Sequence, residues 1–366
     1  MTKIKTFLIK IFRYQKYLVR IYIYQTFIKR LICYKEFTKI KKKNNILIVY
    51  DFSSAPSTYG DIFDVILIAR SLIYLNKNIK LIFIMPDKIG LGSNHRIKYK
   101  IKLVKFINEI VKYSKFLCAS KKFEVETMYF KKLKQNYFFN KKFYILFKSI
   151  IIKRENIYKY TCGTLNSVIL KNIDTNIRNK ILLSINSFKK VIKDNKIKLP
   201  KFNYITTHFR YLTTSRNSVY SMNVDKSFNT SISEAKNIIS ILKKNYVDKK
   251  IMVITDYVGA KYYKKKLGKI KNLYYSQDFS NNFFGNGLLI LNSKIFITSK
   301  NTGICFFPQS SHMPYLINWR YAPQNEALWG KNKPFSHQKN DQIAFFEKKK
   351  GQFLEFLSNE YKFKKL

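Results

Sequence analysis

The chain has 366 residues, enough for two domains of ordinary size with packed cores. Its 70 lysines and arginines outnumber its 21 aspartates and glutamates, which gives a formal charge of +49. Because the basic residues are spread along the whole chain without any nucleic-acid-binding motif, we expect no nucleic-acid partner. The charge does favour anionic membranes and phosphorylated ligands.

Cysteine and histidine patterns give no sign of a metal site. The four cysteines are scattered without a CxxC pair, and the four histidines lack metal-ligand spacing. We therefore expect no bound metal, no cofactor and no disulfide framework. No uninterrupted apolar stretch reaches the length of a membrane span, so a cytoplasmic location is expected.

The first 43 residues form a distinctive segment in which Ile, Phe and Leu alternate with Lys and Arg. Basic residues interrupt it too often for a transmembrane helix or a signal peptide. A helix with one basic and one apolar side suits the surface of an anionic membrane, which would place the protein at the inner face of the cell membrane. The alternative is a helix that packs on the core of the protein itself.

The first α/β unit follows this segment. Residues 46–50 predict a buried strand, 61–73 a helix and 81–84 a second parallel strand. This is a Rossmann-like beginning without the GxGxxG fingerprint, so NAD and FAD are disfavoured. The polar residues expected where a ligand meets the edge of this sheet are Asp51, Ser53, Ser54, Tyr59 and Asp61.

The second half is organised around one polar segment. An apolar run ends at Thr206 and Thr207, and then His208 and Arg210 follow, with Arg216 and Asn217 shortly after. Ligands of an open α/β sheet bind beyond the carboxyl ends of its strands. The planar donor fork of arginine fits phosphate oxygens, so two arginines and a histidine here predict a diphosphate site.

The rest of this half alternates strands with helices. Strands are predicted at 250–255, 272–275, 295–298 and 314–319, which indicates a parallel sheet covered on both faces. Asp256 and Tyr257 follow one of these strands. Ser299–Gly303 is a polar turn that opens a helix, where backbone N–H groups can receive an anion.

These patterns predict a division into four parts. We expect a basic amphipathic segment at 1–43, an N-terminal Rossmann-like domain at 44–195 and a C-terminal Rossmann-like domain at 196–340. Residues 341–366 are predicted to form a basic helix that crosses back onto the first domain. Helices are also expected at 97–116 and 176–195, whereas the pattern assigns no elements to 121–160.

The second half resembles glycosyltransferases of the GT-B class, in particular the fucosyltransferase-like branch. Its H-x-R motif stands here as His208-Phe209-Arg210, its Thr-Asp motif as Thr255-Asp256, and its Ser-rich turn as Ser299–Gly303. A group of uncharacterised bacterial glycosyltransferases is more similar still, since its Arg-Asn pair matches Arg216-Asn217. The fucosyltransferase-like branch carries an acidic residue soon after H-x-R, whereas Tyr211–Ser215 contains none. The resemblance therefore implies neither a guanine nucleotide nor fucose.

The resemblance implies a role for each part of the site. Arg210 and Arg216 would neutralise the diphosphate of a nucleotide-sugar donor, and His208 would orient the diphosphate or the sugar. The acceptor would approach from the first domain, with a surface glycan or lipopolysaccharide as its expected class, and the proton would go to Asp51 or Asp61. The residues implied on the donor side are His208, Arg210, Arg216, Asn217, Asp256, Tyr257, Ser299, Asn301, Thr302 and Gly303, and those on the acceptor side are Ser53, Ser54 and Tyr59.

One alternative from another class stays open. A protein that binds the membrane surface as a scaffold, with Rossmann-like domains that no longer catalyse, has the same composition and the same alternation of elements. Without a DxD-type metal motif, the enzyme interpretation predicts metal-independent transfer.

Overall fold

The computed structural model describes residues 28, 30–52, 59–85, 100–137, 142–146, 162–211, 229–320, 341–347, 349 and 351–360. It contains two parallel β-sheets with helices between their strands, which confirms the predicted class of two Rossmann-like α/β sheets. The strands are β1 (Asn45–Asp51), β2 (Asn78–Met85), β3 (Phe123–Tyr129), β4 (Tyr144–Leu146), β5 (Tyr204–His208), β6 (Lys250–Ile254), β7 (Leu273–Tyr275), β8 (Phe296–Thr298), β9 (Tyr315–Arg320) and β10 (Gln342–Glu347).

Helices cover both sheets in the described part of the chain. They are α1 (28 and 30–41), α2 (Tyr59–Tyr74), α3 (Lys100–Leu117), α4 (Phe130–Tyr137), α5 (Cys162–Lys171), α6 (Thr175–Ile181), α7 (Lys189–Asp194), α8 (Ile232–Asn245), α9 (Tyr257–Leu267), α10 (Phe283–Leu291), α11 (Phe306–Gln309) and α12 (Gln352–Glu355). Short 3₁₀ turns lie at Ile185–Phe188, Ser276–Asp278 and Gly303–Cys305, and a π turn at Phe356–Glu360.

The order of strands in each sheet determines where a ligand can bind. The first sheet runs β3-β2-β1-β4, and the second runs β7-β6-β5-β8-β9-β10, with every pair parallel. In the second sheet β5, β6 and β7 follow one another towards one edge, whereas β8, β9 and β10 follow one another towards the opposite edge. The chain therefore reverses direction between β5 and β8, and a crevice opens at the carboxyl ends of strands that flank such a switch point.

The C-terminal prediction was wrong in two respects. Gln342–Glu347 is a strand that pairs with β9, and its residues alternate between buried and partly buried, the period of a strand rather than a helix. The helical turns that follow put Phe353 and Leu357 into the core of the second half, where Asn245 Nδ2 donates to Leu357 O at 3.3 Å. The described residues between 342 and 357 thus lie on the second sheet and not on the first domain.

The single helix predicted over 176–195 is also corrected. It is divided into α6, a 3₁₀ turn and α7, because the backbone becomes extended at Leu182 and Leu183. Leu183 N donates to Ser310 O at 2.7 Å and the residue forms an isolated parallel bridge with Ser311. A tertiary contact therefore overrides local helix propensity here.

A buried arginine ties three helices of the first half together. The Arg70 guanidinium of α2 donates to Ile181 O at 2.7 Å, to Lys180 O at 3.1 Å and to Leu117 O. These carbonyls belong to the last turns of α3 and α6, which have no partner within their own helices. A positive charge at a helix C-terminus is also favourable with respect to the helix dipole.

Aromatic side chains join the two halves. Tyr59 of α2 stacks on Phe283 of α10, with ring centroids 3.8 Å apart and planes 6° from parallel. Phe63 stacks on Phe306 at 4.9 Å, and the same hydrophobic cluster contains buried residues from both sheets. The two halves consequently share one core at this contact.

Candidate functional site

The residues predicted from sequence flank the switch point of the second sheet. His208 ends β5 and Arg210 follows it, while Thr298 ends β8 on the adjacent side. The Thr298 hydroxyl lies 3.2 Å from His208 O and 3.0 Å from Lys300 O, and it accepts a hydrogen bond from Lys300 N. The ends of the two strands are thereby tied together beneath the position where a ligand would bind.

His208 has a defined tautomer and charge. Its Nδ1 lies 2.8 Å from Ile254 O at the end of β6, and a carbonyl can only accept, so Nδ1 carries the proton. Burial lowers the pKa of His208 to about 4, with a smaller contribution from the nearby Arg210 charge and against the opposing effect of the Ile254 bond. The imidazole is therefore neutral at pH 7, and its Nε2 presents an acceptor lone pair.

Arg210 is held through its backbone. Its N donates to Thr230 Oγ1 at 3.2 Å, and its carbonyl accepts from Thr230 N at 2.9 Å. The Tyr263 hydroxyl donates to Thr230 O at 2.7 Å and lies 3.2 Å from Arg210 O. The position of Arg210 is thus fixed independently of its side chain, with two of the fixing residues lying far from the H-x-R motif in sequence.

The turn after β8 lies against the first half of the protein. A Cβ added to Gly303 would stand 3.1 Å from Gly60 N, so the turn touches the first turn of α2 backbone to backbone. Lys300 Nζ lies 3.6 Å from Glu234 Oε1, at the capped start of α8. Ser299 is buried, and its hydroxyl has no hydrogen-bond partner in the described residues.

The helix opened by this turn is short. It consists of a 3₁₀ turn at Gly303–Cys305 and the single α-helical turn α11. A helix this short contributes little through its dipole. Asn301, Thr302 and Gly303 would then act on an anion through individual N–H groups.

Asp256 and Tyr257 lie at the end of the neighbouring strand β6. Asp256 caps α9, since its Oδ1 accepts from Gly259 N at 2.6 Å. Tyr257 is 70% exposed, and Tyr211 stacks on Tyr262 nearby with centroids 4.1 Å apart. An aromatic and carboxylate surface therefore borders the site on the β6 side.

Three of the residues predicted in the first half lie in the described part of the chain. Asp51 is buried at the tip of β1, and Asp61 lies in the first turn of α2. The Tyr59 hydroxyl donates to Glu109 Oε2 at 3.1 Å while its ring stacks on Phe283.

Four predicted residues lie outside the described residues: Ser53, Ser54, Arg216 and Asn217. The convergence of Arg216 with Arg210 therefore stays a prediction.

Asp64 of α2 is a carboxyl that the predicted site residues do not include. Burial and, to a lesser degree, the Asp61 charge raise its pKa to about 7, against the opposing effect of a hydrogen bond from Asn166 Nδ2. Asp64 lies four residues after Gly60 and so on the same side of α2 that meets Gly303. The spacing of Asp61 and Asp64 is visible in the sequence, but the partial burial of Asp64 is not.

Asp64→Asn is expected to stabilise the protein at alkaline pH and to have little effect in acid. The pKa of Asp64 is raised from 3.8 to about 7 in the folded state. The contribution of the bound proton to stability is therefore complete below about pH 4 and is lost as the pH rises through about 7. The asparagine removes the cost of the partly buried charge, a gain on the order of 2–4 kcal/mol above about pH 8. Melting temperatures of both proteins across this range test it, with Asp248→Asn in an exposed turn as the control. A pH-independent difference would contradict the assignment.

The described residues contain no group of three or more His, Cys, Asp and Glu side chains placed to hold a metal ion.

No known family model matches the sequence, and no match is found among curated proteins. Solved structures with a similar fold include a glycosyl transferase family 9 protein of Veillonella parvula, at 10% identity over 88% of this chain and 90% of that protein, with a TM-score of 0.40. A UDP-GlcNAc 2-epimerase of Neisseria meningitidis, solved with UDP-GlcNAc, is 10% identical over 78% of this chain and 85% of its own, with a TM-score of 0.33.

A glycosyltransferase of Rickettsia africae is 14% identical over 75% of this chain and 79% of its own, with a TM-score of 0.27. Identities and TM-scores this low identify neither the reaction nor the substrate of this protein.

Proposed function

We propose that this protein is a metal-independent glycosyltransferase of GT-B-like architecture that transfers a sugar from a nucleotide-sugar donor to a glycan or lipopolysaccharide-type acceptor. The observation that carries the proposal is the position of His208, Arg210 and the Ser299–Gly303 turn on both sides of the β5–β8 switch point. That position is where open parallel sheets bind their ligands, and arginine is the side chain best matched to a phosphate.

The donor would lie along the carboxyl edge of the second sheet. Arg210 neutralises the diphosphate together with Arg216 and Asn217, which follow it in sequence, and the N–H groups of the 299–303 turn bind the phosphate oxygens. The nucleoside extends towards Asp256 and Tyr257, where the exposed ring offers a stacking surface.

Transfer requires one bond to form and one to break. The acceptor hydroxyl oxygen attacks the anomeric carbon, and the bond from that carbon to the diphosphate oxygen breaks. The electron pair leaves on the diphosphate, where preorganised positive charge from Arg210 is worth about 3–4 kcal/mol of barrier by analogy with one oxyanion-hole donor. Because arginine supplies this charge, neither a divalent ion nor a cofactor is needed.

The hydroxyl proton goes to a carboxylate of the first half. Asp51 and Asp61 remain the candidates read from the sequence, and Asp64 joins them because its pKa of about 7 suits a group that takes up a proton near neutral pH. The contact between Gly60 and Gly303 supports this assignment, since it brings the start of α2 against the donor turn.

His208 would act as a hydrogen-bond acceptor and not as a cation. With Nδ1 committed to Ile254 O, Nε2 can accept from a hydroxyl group of the donor sugar or ribose. The reaction would occur in the cytoplasm, at the inner face of the cell membrane if residues 1–43 attach the protein there.

A screen of nucleotide sugars tests the proposal. Purified full-length protein is incubated with each donor, with and without EDTA, and release of nucleoside diphosphate is measured. We expect one donor to be turned over at a rate that EDTA does not change. Loss of activity with EDTA would contradict metal independence, and absence of turnover with every donor, acceptor extracts included, would contradict the enzyme assignment.

A further inference from the structure

Among the described residues, helix α1 packs on the first half mainly through one side. Cys33, Phe37 and Ile40 are each at most 3% exposed and belong to the core that contains β1 and β2. Glu36, on the adjoining side, accepts a hydrogen bond from the Tyr144 hydroxyl at 2.7 Å. These contacts fix the rotation of the helix and therefore determine which side faces away from the protein.

The outward side of α1 is apolar at its beginning and basic further on. Ile28, Leu31 and Ile32 are 37%, 52% and 46% exposed, and they follow the i, i+3, i+4 spacing of one helix face. Lys35 and Lys39 continue the same face, and both are exposed. Aliphatic side chains at this level of exposure, clustered on one helix face, call for a partner.

Charge identifies the kind of partner. A second copy of this chain would bring another formal charge of +49 and lysines of its own against Lys35 and Lys39. Nucleic acid is anionic but offers no apolar medium to Ile28, Leu31 and Ile32. An anionic lipid bilayer satisfies both parts of the face, with hydrocarbon for the aliphatic side chains and headgroup phosphates for the lysines.

We propose that the outward face of α1, formed by Ile28, Leu31, Ile32, Lys35 and Lys39, binds the surface of an anionic membrane. The same helix then has two roles, since its inward residues complete the core and its outward residues enter the lipid interface. Lysine stems reach along the interface while their charges stay at the headgroups. This inference depends on α1 alone and is independent of the proposed transfer reaction.

No helix in the part of the chain that the structure describes is long and apolar enough to cross a membrane.

The test uses full-length protein and sedimentation with lipid vesicles. Vesicles of phosphatidylcholine alone are compared with vesicles containing phosphatidylglycerol, for the parent protein and for Leu31→Ser/Ile32→Ser and Lys35→Gln/Lys39→Gln. We expect the parent to bind only the anionic vesicles, and each double variant to bind them about tenfold more weakly. Ile101→Ser, which changes an aliphatic residue that is 73% exposed on α3, should bind like the parent.

Three outcomes would overturn the proposal. Unchanged vesicle binding by Leu31→Ser/Ile32→Ser would show that the apolar face does not enter lipid. Conversion of a dimeric parent to a monomer by the same variant would assign the face to a second copy of the chain. Weaker binding to duplex DNA by Lys35→Gln/Lys39→Gln, without any loss of vesicle binding, would assign it to nucleic acid. Circular dichroism of each variant checks that the fold is retained, since none of the changed side chains lies in the core.

Discussion

Arg210→Ala is expected to lower the turnover of the nucleotide-sugar donor by about 10²- to 10³-fold. The loss arises because the negative charge that develops on the departing diphosphate would no longer be neutralised by the Arg210 side chain, just beyond the end of β5. The fold should survive, since the bonds between Arg210 and Thr230 are made by the Arg210 backbone and are retained in the variant. Steady-state kinetics with the donor found in the screen measures the effect.

Two further variants serve as controls for Arg210→Ala. Arg210→Lys keeps the charge but loses the planar fork, so activity between that of the parent and of the alanine variant is expected. Lys243→Ala removes an exposed charge from the last turn of α8 and should act like the parent, which separates a local effect from the lower overall charge. Near-normal turnover by Arg210→Ala would remove the diphosphate assignment.

Gly287→Ala is expected to destabilise the protein by about 2–3 kcal/mol. A Cβ at this position would stand 2.2–2.3 Å from three carbons of the Phe307 ring, well inside contact distance. The ring has 0% exposure and touches Phe63, Phe283 and Phe284, so it has no room to withdraw. In an unconstrained helix the same change would instead stabilise by about 1 kcal/mol, and the sign of the effect is therefore informative.

A double-mutant cycle provides the control for Gly287→Ala. Phe307→Leu makes space for the new methyl group, so the destabilisation of Gly287→Ala/Phe307→Leu should be smaller than the sum of the single changes. Urea unfolding of the four proteins gives the coupling free energy. Strict additivity, or stabilisation by Gly287→Ala alone, would contradict the packing of Phe307 on α10.

Much of the fold could be predicted from the sequence because the central strands are short apolar runs between clear turn signals. Ile46–Tyr50 and Lys250–Ile254 were recognisable in this way, and the capping box of Ser231 and Glu234 marked the start of α8. The strand order required the structure, since helical crossovers of similar length can lead to either side of the first strand. The switch point depends on that order, and it is the reason why the polar cluster is interpreted as a ligand site.

The failed predictions have a common physical cause. Gln342–Glu347 falls in the helix predicted over 341–366, but its parallel pairing with β9 makes it a strand. The helix over 176–195 is interrupted because Leu183 bonds to Ser310, more than a hundred residues away in sequence. In both segments a long-range hydrogen bond overrides a local preference, and no local pattern records it.

The candidate site was predictable in its residue types but not in its electrostatics. The H-x-R motif and the polar turn pointed to a phosphate ligand, whereas the charge of His208 follows from its burial and from a neighbouring carbonyl. Nothing in the sequence marks Asp64 as unusual. Its partial burial beside Asp61, which raises its pKa, distinguishes it from an ordinary surface carboxyl. Thr230 and Tyr263, which fix the Arg210 backbone, have no motif of their own.

Calorimetric titration with UDP and GDP is the measurement that tests the central claim most directly. We expect one of the two to bind the full-length protein, at least about tenfold more weakly to Arg210→Ala, while sulfate at equal charge does not compete. Equal affinity for parent and variant, or competition by sulfate as effective as that of the nucleotide, would contradict a diphosphate site at the β5–β8 switch point.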